Sequence, residues 1–287
     1  MLGTGGETMI GDLHCHTRFS DGSMGIDDLI TYAKRSGLDF VAVTDHDTMA
    51  GIKRAEQLGR RIGIGIVSGT EISAYDQQRK RKVHLLCYLP QNPDRLVGML
   101  KRTTESRDAS MRASLRKVMR QFPLTEEHVH KFSSGAASLF SAHIMNALMD
   151  LGYADSIYGS LFHQILSSKG SCYVPHSYPD VREAAKLIRT AGGVCVLAHP
   201  SVYRSMELMR ELAAEGLIDG VERYHPRVNE EDIPEIDAVI QEYGLLSTGG
   251  TDFHGANSQH PNPLGTCLTT QENLERIFKL AKSKEHK

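Results

Sequence analysis

The sequence predicts an α/β barrel interrupted by a helical insert. Three observations carry this. Strand and helix patterns alternate through the first ninety residues and again from Tyr173, the order of a parallel sheet with crossover helices. The strands number about seven, which favours a barrel over an open sheet. Between Pro90 and Ser171 no strand pattern occurs.

Met9–Leu13 reads as a short first strand. Ile26–Ser36 follows as a helix, because Ile26, Leu29, Ile30 and Ala33 recur at helical spacing and Gly37 supplies a stop. Phe40–Val43 is the second strand, Gly51–Arg61 a helix, Ile64–Ser68 the third strand and Val83–Leu89 the fourth. The character changes at Pro90. Asp94 to Arg120 reads as one long basic helix that includes Arg107 and Arg112, and Thr125–His130, Ser141–Leu151 and Tyr158–Leu166 read as shorter ones. Then come helix Val181–Thr190, strand Gly193–Ala198, helix Met206–Glu215 and strand Gly220–Tyr224. Helix Ile233–Tyr243, strand Leu245–Thr248 and helix Leu274–Ala281 close the chain. The expected organisation is a first barrel part over residues 9–90, a helical cap over 91–170 and a second barrel part over 171–287.

The 287 residues are 40% hydrophobic and 24% charged, the balance of a soluble globular chain. A net charge of −2 sets up no global basic field toward nucleic acid or membrane. No stretch approaches the roughly 20 apolar residues of a membrane span. Residues 1–10 lack the basic and apolar regions of a signal peptide. They read as a short disordered leader, with Met9 as an alternative start. The five cysteines are odd in number and form no CxxC, so buried thiols in a reducing cytoplasm are expected. No feature calls for an obligate protein partner.

Residues that bind divalent metal recur where strands end or loops open. They are Asp12-Leu13-His14-Cys15-His16 with Asp21, Thr44-Asp45-His46-Asp47, Gly69-Thr70-Glu71, Lys82-Val83-His84, Ala198-His199-Pro200 and Thr251-Asp252-Phe253-His254. His14 and His16 are two apart, as are Asp252 and His254, and such side chains share one face of a strand. Gly249-Gly250 before the last pair permits close approach to a ligand. His199 follows an apolar run, so it stands at the strand end that opens into a barrel's mouth. Singly, each has a plainer reading: two surface histidines, a solvated Glu71, a packed His84. Jointly they offer carboxylate oxygens and imidazole nitrogens, a mixture that suits Mn, Fe or Zn. No GxSxG elbow, P-loop or HExxH is present, which leaves metal-assisted hydrolysis.

The strings DLHCHTRFSDG, TDHDT, GTEIS, HLLCY, LAHP and TDFHG, in this order, resemble the successive motifs of the PHP (polymerase and histidinol phosphatase) family. YVPHSYPDVREAAKLIRTAGGVCVLAHP further resembles the branch of bacterial 3′,5′-nucleotide bisphosphate phosphatases and a 5′→3′ oligoribonuclease. The resemblance implies a distorted (β/α)7 TIM-like barrel with a helical insert, two to three divalent ions with Mn favoured over Fe or Zn, and hydrolysis of a phosphate ester by a metal-bridged hydroxide. It implies that His14, His16, Glu71 and Asp252 hold one ion and that Glu71 bridges to a second held by His84 and His199. Asp21, His46 and His254 form a third position or contact phosphate. His46 and His199 are alternative proton donors to the leaving group, while His254 neutralises phosphoryl oxygens. Asp12, Asp45 and Asp47 are expected to accept the outer N–H of the liganding imidazoles, or, for the last two, to shape a turn or helix cap.

For substrate, the resemblance implies contacts from His143 and His225. The branch has arginines two before and three after the insert histidine, where this chain has Ser141 and Asn146. Arg107 or Arg112 is an alternative grip for a second phosphate. A nucleoside monophosphate, or another small phosphate ester, therefore fits as well as a 3′,5′-bisphosphate. Short RNA, histidinol phosphate and a non-catalytic nucleotide-binding or polymerase-associated role are the competing readings. With no Trp and 6% aromatic residues, the chain leans away from the stacking surfaces of single-strand binders.

Overall fold

The computed structural model describes residues 9–260 and 262–284; of the leader expected over residues 1–10, residues 1–8 lie outside them, while Ile10 already belongs to the first strand. Among the described residues the strands are β1 (Ile10–Asp12), β2 (Phe40–Val43), β3 (Gly65–Asp76), β4 (Arg81–Tyr88), β5 (Val194–Leu197), β6 (Gly220–Tyr224), β7 (Leu246–Gly249) and β8 (Thr269–Thr270). They form one sheet in the order β7-β6-β5-β4-β3-β2-β1-β8. The sheet curls until its edges meet: the Leu13 N–H donates to the Gly249 carbonyl at 3.1 Å, and the Gly249 N–H donates to Thr269 Oγ1 at 2.8 Å. The result is a distorted, nearly closed barrel, with the two-residue β8 added where no strand was expected.

One expectation fails. The sheet is not parallel throughout: β4 runs antiparallel to both β3 and β5. The third strand continues to Asp76 and pairs with β4 from Gly69↔Tyr88 to Asp76↔Arg81. The reason is loop length. A parallel crossover needs about a dozen residues, whereas a short turn joins antiparallel strands. Asp76 Oδ1 accepts from the Gln78 N–H at 3.0 Å, and Lys80 takes φ +53°, so the turn closes locally.

Helices α1 (Ile26–Arg35) and α2 (Ile52–Ile62) cover the first strands. In α1 the face expected from the sequence is buried, and Gly37 takes φ +79° just past its end. The insert is α3 (Asp94–Val118), α4 (Glu126–Ser133), α5 (Ser141–Asp150) and α6 (Ser160–Ile165). Leu96, Met99 and Leu100 of α3 pack into the barrel core. Met111, Leu115 and Val118 pack into a separate core with Ile144, Met145 and Leu148 of α5. One helix thus fixes the insert over the barrel. The second half adds α7 (Val181–Thr190), α8 (Met206–Ala214), α9 (Ile233–Tyr243) and α10 (Gln271–Ser283). In α7, Val181, Ala184, Ala185 and Ile188 form the buried stripe, and Asp180 caps its start by accepting from the Arg182 N–H at 2.9 Å.

Candidate metal centre

Two segments lie side by side at the barrel mouth, beyond β1 and β7. Cys15 bridges Phe253 in parallel register. The His16 N–H donates to the Phe253 carbonyl at 2.8 Å, and the Phe253 N–H to the His14 carbonyl at 3.1 Å. Paired in register, the two segments send alternate side chains to opposite faces, with Asp252 in a left-handed conformation at φ +51°. Cys15 and Phe253 therefore enter the apolar core, while His14, His16, Asp252 and His254 face the mouth and cluster there. Gly250 is what allows this approach, since a Cβ there would lie 2.2 Å from the Cβ of His14. The glycine expected to admit a ligand admits His14 instead.

Glu71 lies inside β3, next to His46 in a parallel bridge, and its carboxylate divides the cluster. Oε2 is 3.1 Å from His14 Nε2 and 3.2 Å from both His16 Nε2 and His46 Nδ1. Oε1 is 2.6 Å from His84 Nδ1 and 3.0 Å from His199 Nε2. Asp252 Oδ1 adds to the first group, 3.2 Å from His16 Nε2. Asp21 Oδ1 is 3.3 Å from His254 Nε2, and these two cluster with His16 and His46. Ligand atoms at right angles around one ion, each about 2.1 Å from it, sit about 3 Å apart. The observed spacings match.

The donor set fits divalent metal on a second count. Nε2 of His14 and His16, Nδ1 of His46, Oε2 of Glu71 and Oδ1 of Asp21 are buried without a hydrogen-bond partner. Buried polar atoms in native folds are normally satisfied, and a cation satisfies lone pairs of both kinds. Charge points the same way. Burial opposes ionisation of Glu71, yet the surrounding imidazoles of His84, His14 and His46 hold it well below the usual carboxylate range. Asp252 is likewise buried and held well down by His14 and His254. These carboxylates draw positive charge inward: burial disfavours a charged His16, but Asp252 and Glu71 raise it to about 10. The backbone is strained at the same place. Asp47, His199 and Asp252 have φ of +54°, +27° and +51°, a region that costs non-glycine residues about 1 kcal/mol or more.

The supporting shell departs from expectation. Asp12 accepts from the Thr251 N–H at 2.9 Å and the Gly265 N–H at 2.9 Å. Asp45 accepts from the Thr17 N–H at 2.7 Å and Ser20 Oγ at 2.6 Å, and Asp47 from the Ser73 N–H at 2.9 Å. These carboxylates brace loops, and α2 starts at Gly51 without a side-chain cap. The carboxylate that holds an imidazole of the cluster is Glu222, which no sequence motif marks. It is buried on β6, with Oε1 2.9 Å from His14 Nδ1 and Oε2 accepting from the His199 N–H at 2.9 Å. A glutamate inside the short strand Gly220–Tyr224, directly after Val221, was the available signal.

The cavity above the cluster has a volume of about 380 Å³. Arg107 lines it, but its guanidinium is buried in an ion pair with Asp47 and donates to Ser73 Oγ at 3.0 Å. Arg112 is outside the cavity, ion-paired to Asp108 at 2.6 Å on the insert surface. His143 is also outside the lining; its Nδ1 accepts from the Phe140 N–H at 3.2 Å and closes the start of α5. His225 stands behind Asp252, 3.4 Å from Oδ2, with Nδ1 accepting from the Arg227 N–H at 3.1 Å. Asn146 donates to Asn257, which donates to the Asp21 carbonyl at 2.7 Å. Arg227, Lys82, Tyr203 and His176 line the cavity and were not singled out from the sequence.

A distorted barrel that gathers carboxylate and imidazole side chains in this way at its mouth defines a metal-dependent phosphoesterase. The PHP domain matches residues 12–215, and the chain belongs to that family. It is 34% identical over 256 residues to the phosphoribosyl 1,2-cyclic phosphate 1,2-diphosphodiesterase of Eggerthella lenta, covering 88% of this chain and 97% of that protein. It is 28% identical to a 5′-3′ exoribonuclease of Haemophilus influenzae, over 85% of this chain and 89% of that protein. It is 26% identical to the 3′,5′-nucleoside bisphosphate phosphatase of Chromobacterium violaceum, over 85% and 86%. A solved structure from Bifidobacterium adolescentis, assigned as a metal-dependent phosphoesterase, superposes with a TM-score of 0.87 at 31% identity, covering 94% of this chain and 96% of that one.

Proposed function

We propose that this phosphoesterase removes a phosphate from a small nucleotide, a nucleoside monophosphate or 3′,5′-bisphosphate. The observation that carries the reading is the divided carboxylate of Glu71, whose two oxygens face separate sets of imidazoles on a cavity floor. His14, His16, Asp252 and Glu71 Oε2 would hold one ion, and His84, His199 and Glu71 Oε1 a second. Asp21, His46 and His254 would hold a third or meet the phosphate. Divalent ions in such a set supply an acidified water and counter-charge for phosphoryl oxygens; Mn suits the donors best, with Fe and Zn compatible.

The chain's own residues do the rest. Glu222 fixes the ring of His14 through its outer nitrogen. His225 and Arg227 hold the outer oxygen of Asp252, so its inner oxygen stays turned to His16. Arg227 also lines the cavity and keeps donors free for a phosphoryl group. His46, His199 and His254 line the cavity as well, where a proton can reach a leaving alkoxide. A cavity of this volume suits a ligand of nucleotide size, and the ribose phosphates named for two relatives agree with it.

The test is a screen of the Mn-loaded protein, read both as phosphate released and as nucleotides or sugar phosphates separated by chromatography, with adenosine 3′,5′-bisphosphate, AMP, histidinol phosphate, a 1,2-cyclic ribose phosphate and a 5′-phosphorylated dinucleotide. Release from one of the first two at the highest kcat/KM is expected. Turnover of the dinucleotide alone would move the reading to an exonuclease. No turnover of any, with metal bound, would overturn it.

A further inference from the structure

The side chains of the mouth cluster stand on two kinds of support. Glu71 and His84 lie within strands, and His199 lies just beyond one. Asp21, His46 and His254, which cluster with His16, stand outside the named strands and helices. The loop that carries Asp21 is tied to the insert through three successive carbonyls. That of Phe19 accepts from the Ala137 N–H at 2.8 Å. That of Ser20 faces the ring of His143 on α5. That of Asp21 accepts from Asn257 Nδ2 at 2.7 Å, and Asn257 Oδ1 accepts from Asn146 Nδ2 of α5 at 3.0 Å.

Asn257 is buried and follows His254 by three residues. The His254 carbonyl accepts from the Ser23 N–H at 3.0 Å, so one chain of amides joins the insert to the loops of both Asp21 and His254. The insert reaches His46 as well. The Phe140 ring, just before α5, stacks on it with centres 6.0 Å apart, and Arg107 of α3 lies 4.7 Å from the centre of the same Phe140 ring. Asp21 Oδ1 is itself buried and without a hydrogen-bond partner, 3.3 Å from His254 Nε2. A carboxylate on a loop keeps such a place only while its backbone is held, and buried backbone carbonyls are held by the donors they pair with.

We infer that the insert builds the third position of the cluster, with Asn146 and Asn257 as positioning residues that hold Asp21 in it to take a divalent cation. This rests on the metal-dependent reading above. It gives Asn146, which stands where the related branch has an arginine, the work of holding a loop in place of gripping substrate. The two positions that share Glu71 rest on strands and do not depend on it.

The test titrates the full metal-free chain with Mn and follows the free ion by electron paramagnetic resonance. Wild type should bind three Mn. Asn257→Leu and Asn146→Leu remove an amide at nearly constant volume. In each, the weakest-bound Mn should bind at least tenfold more weakly, and the other two should stay within threefold of wild type. Because Asn146 acts through Asn257, the double variant should match Asn257→Leu within twofold. Turnover of 4-nitrophenyl phosphate by the variants should fall at low Mn and return with excess Mn. Equal weakening of all three ions, weakening of none, additive losses in the double variant, or lost turnover that excess Mn does not restore would overturn the inference. Asn146 is half-buried, so Asn146→Leu alone decides if circular dichroism shows Asn257→Leu unfolded. Two Mn in a wild-type protein that hydrolyses phosphate esters would overturn the inference alone. No bound Mn would overturn the phosphoesterase reading and the inference with it.

Discussion

The ion pair between Arg107 and Asp47 ties α3 of the insert to the loop that carries His46, and removing one partner should be costly. Both side chains are buried. Asp47 retains the Ser73 N–H at 2.9 Å as its other donor, while Arg107 also stacks 4.7 Å from the centre of the Phe140 ring. Arg107→Met keeps much of the stem and deletes the charge, stranding a carboxylate in the interior. Breaking a buried pair in this way costs about 3–5 kcal/mol. With a urea m-value of about 3 kcal/mol/M, the unfolding midpoint should fall by about 1–1.7 M. The double variant Asp47→Asn/Arg107→Met removes both charges and should recover most of that loss, because pairing a buried charge is worth less than stranding one. The assay is urea unfolding of metal-free protein followed by circular dichroism. A shift below about 0.3 M (about 1 kcal/mol at that m-value), or a double variant less stable than Arg107→Met, would refute the reasoning.

Three more outcomes follow from the geometry. Glu222→Gln should weaken metal binding by about 10–100-fold, the usual loss when a supporting partner of a liganding histidine is altered; competitive chelator titration with unchanged circular dichroism is the check. Gly250→Ala places a Cβ 2.2 Å from the His14 Cβ and should cost about 1–3 kcal/mol by overpacking, read as a lower thermal midpoint together with lower metal content. Stripped of metal, the chain should lose stability as pH rises from about 6.5 toward 10: His16 is raised from 6.5 to about 10, so its contribution is complete below the first value and gone above the second. Mn-loaded protein should hold its urea midpoint over the same window, and equal pH dependence with and without Mn would count against the metal centre.

Much of the site was legible because alternation along extended backbone leaves a direct trace. His14 with His16, and Asp252 with His254, are two apart, and the intervening Cys15 and Phe253 are apolar because they face the opposite side. Contacts made across the fold left no such trace. Glu222 is 208 positions from the histidine it holds, and Arg107 is 60 from Asp47. His143 looked like a substrate contact by its place in the insert motif, but its first duty is to the Phe140 N–H three residues back. The insert helices were legible from helical periodicity, whereas β8 is two residues long, too short to show a period.

The reversed fourth strand is where sequence and chemistry explain one another. In a parallel barrel the reactive groups stand at the C-terminal ends of strands, as His199 does after β5. His84 breaks that rule, for it lies near the start of β4. In a parallel strand it would sit toward the opposite end of the barrel. Because β4 runs antiparallel, its N-terminal part is at the mouth: Leu85 pairs with Leu197, the Ala198 N–H donates to the His84 carbonyl at 3.1 Å, and Ser73 lies opposite His84. The same reversal lets β3 continue past the mouth, which is why Glu71 stands inside a strand with imidazoles on both sides of its carboxylate. A histidine of the mouth cluster at the wrong end of an expected parallel strand, four residues after a turn, is therefore a readable sign that the strand is inverted. The distortion of the barrel is the feature that turns the two oxygens of one glutamate to separate sets of imidazoles.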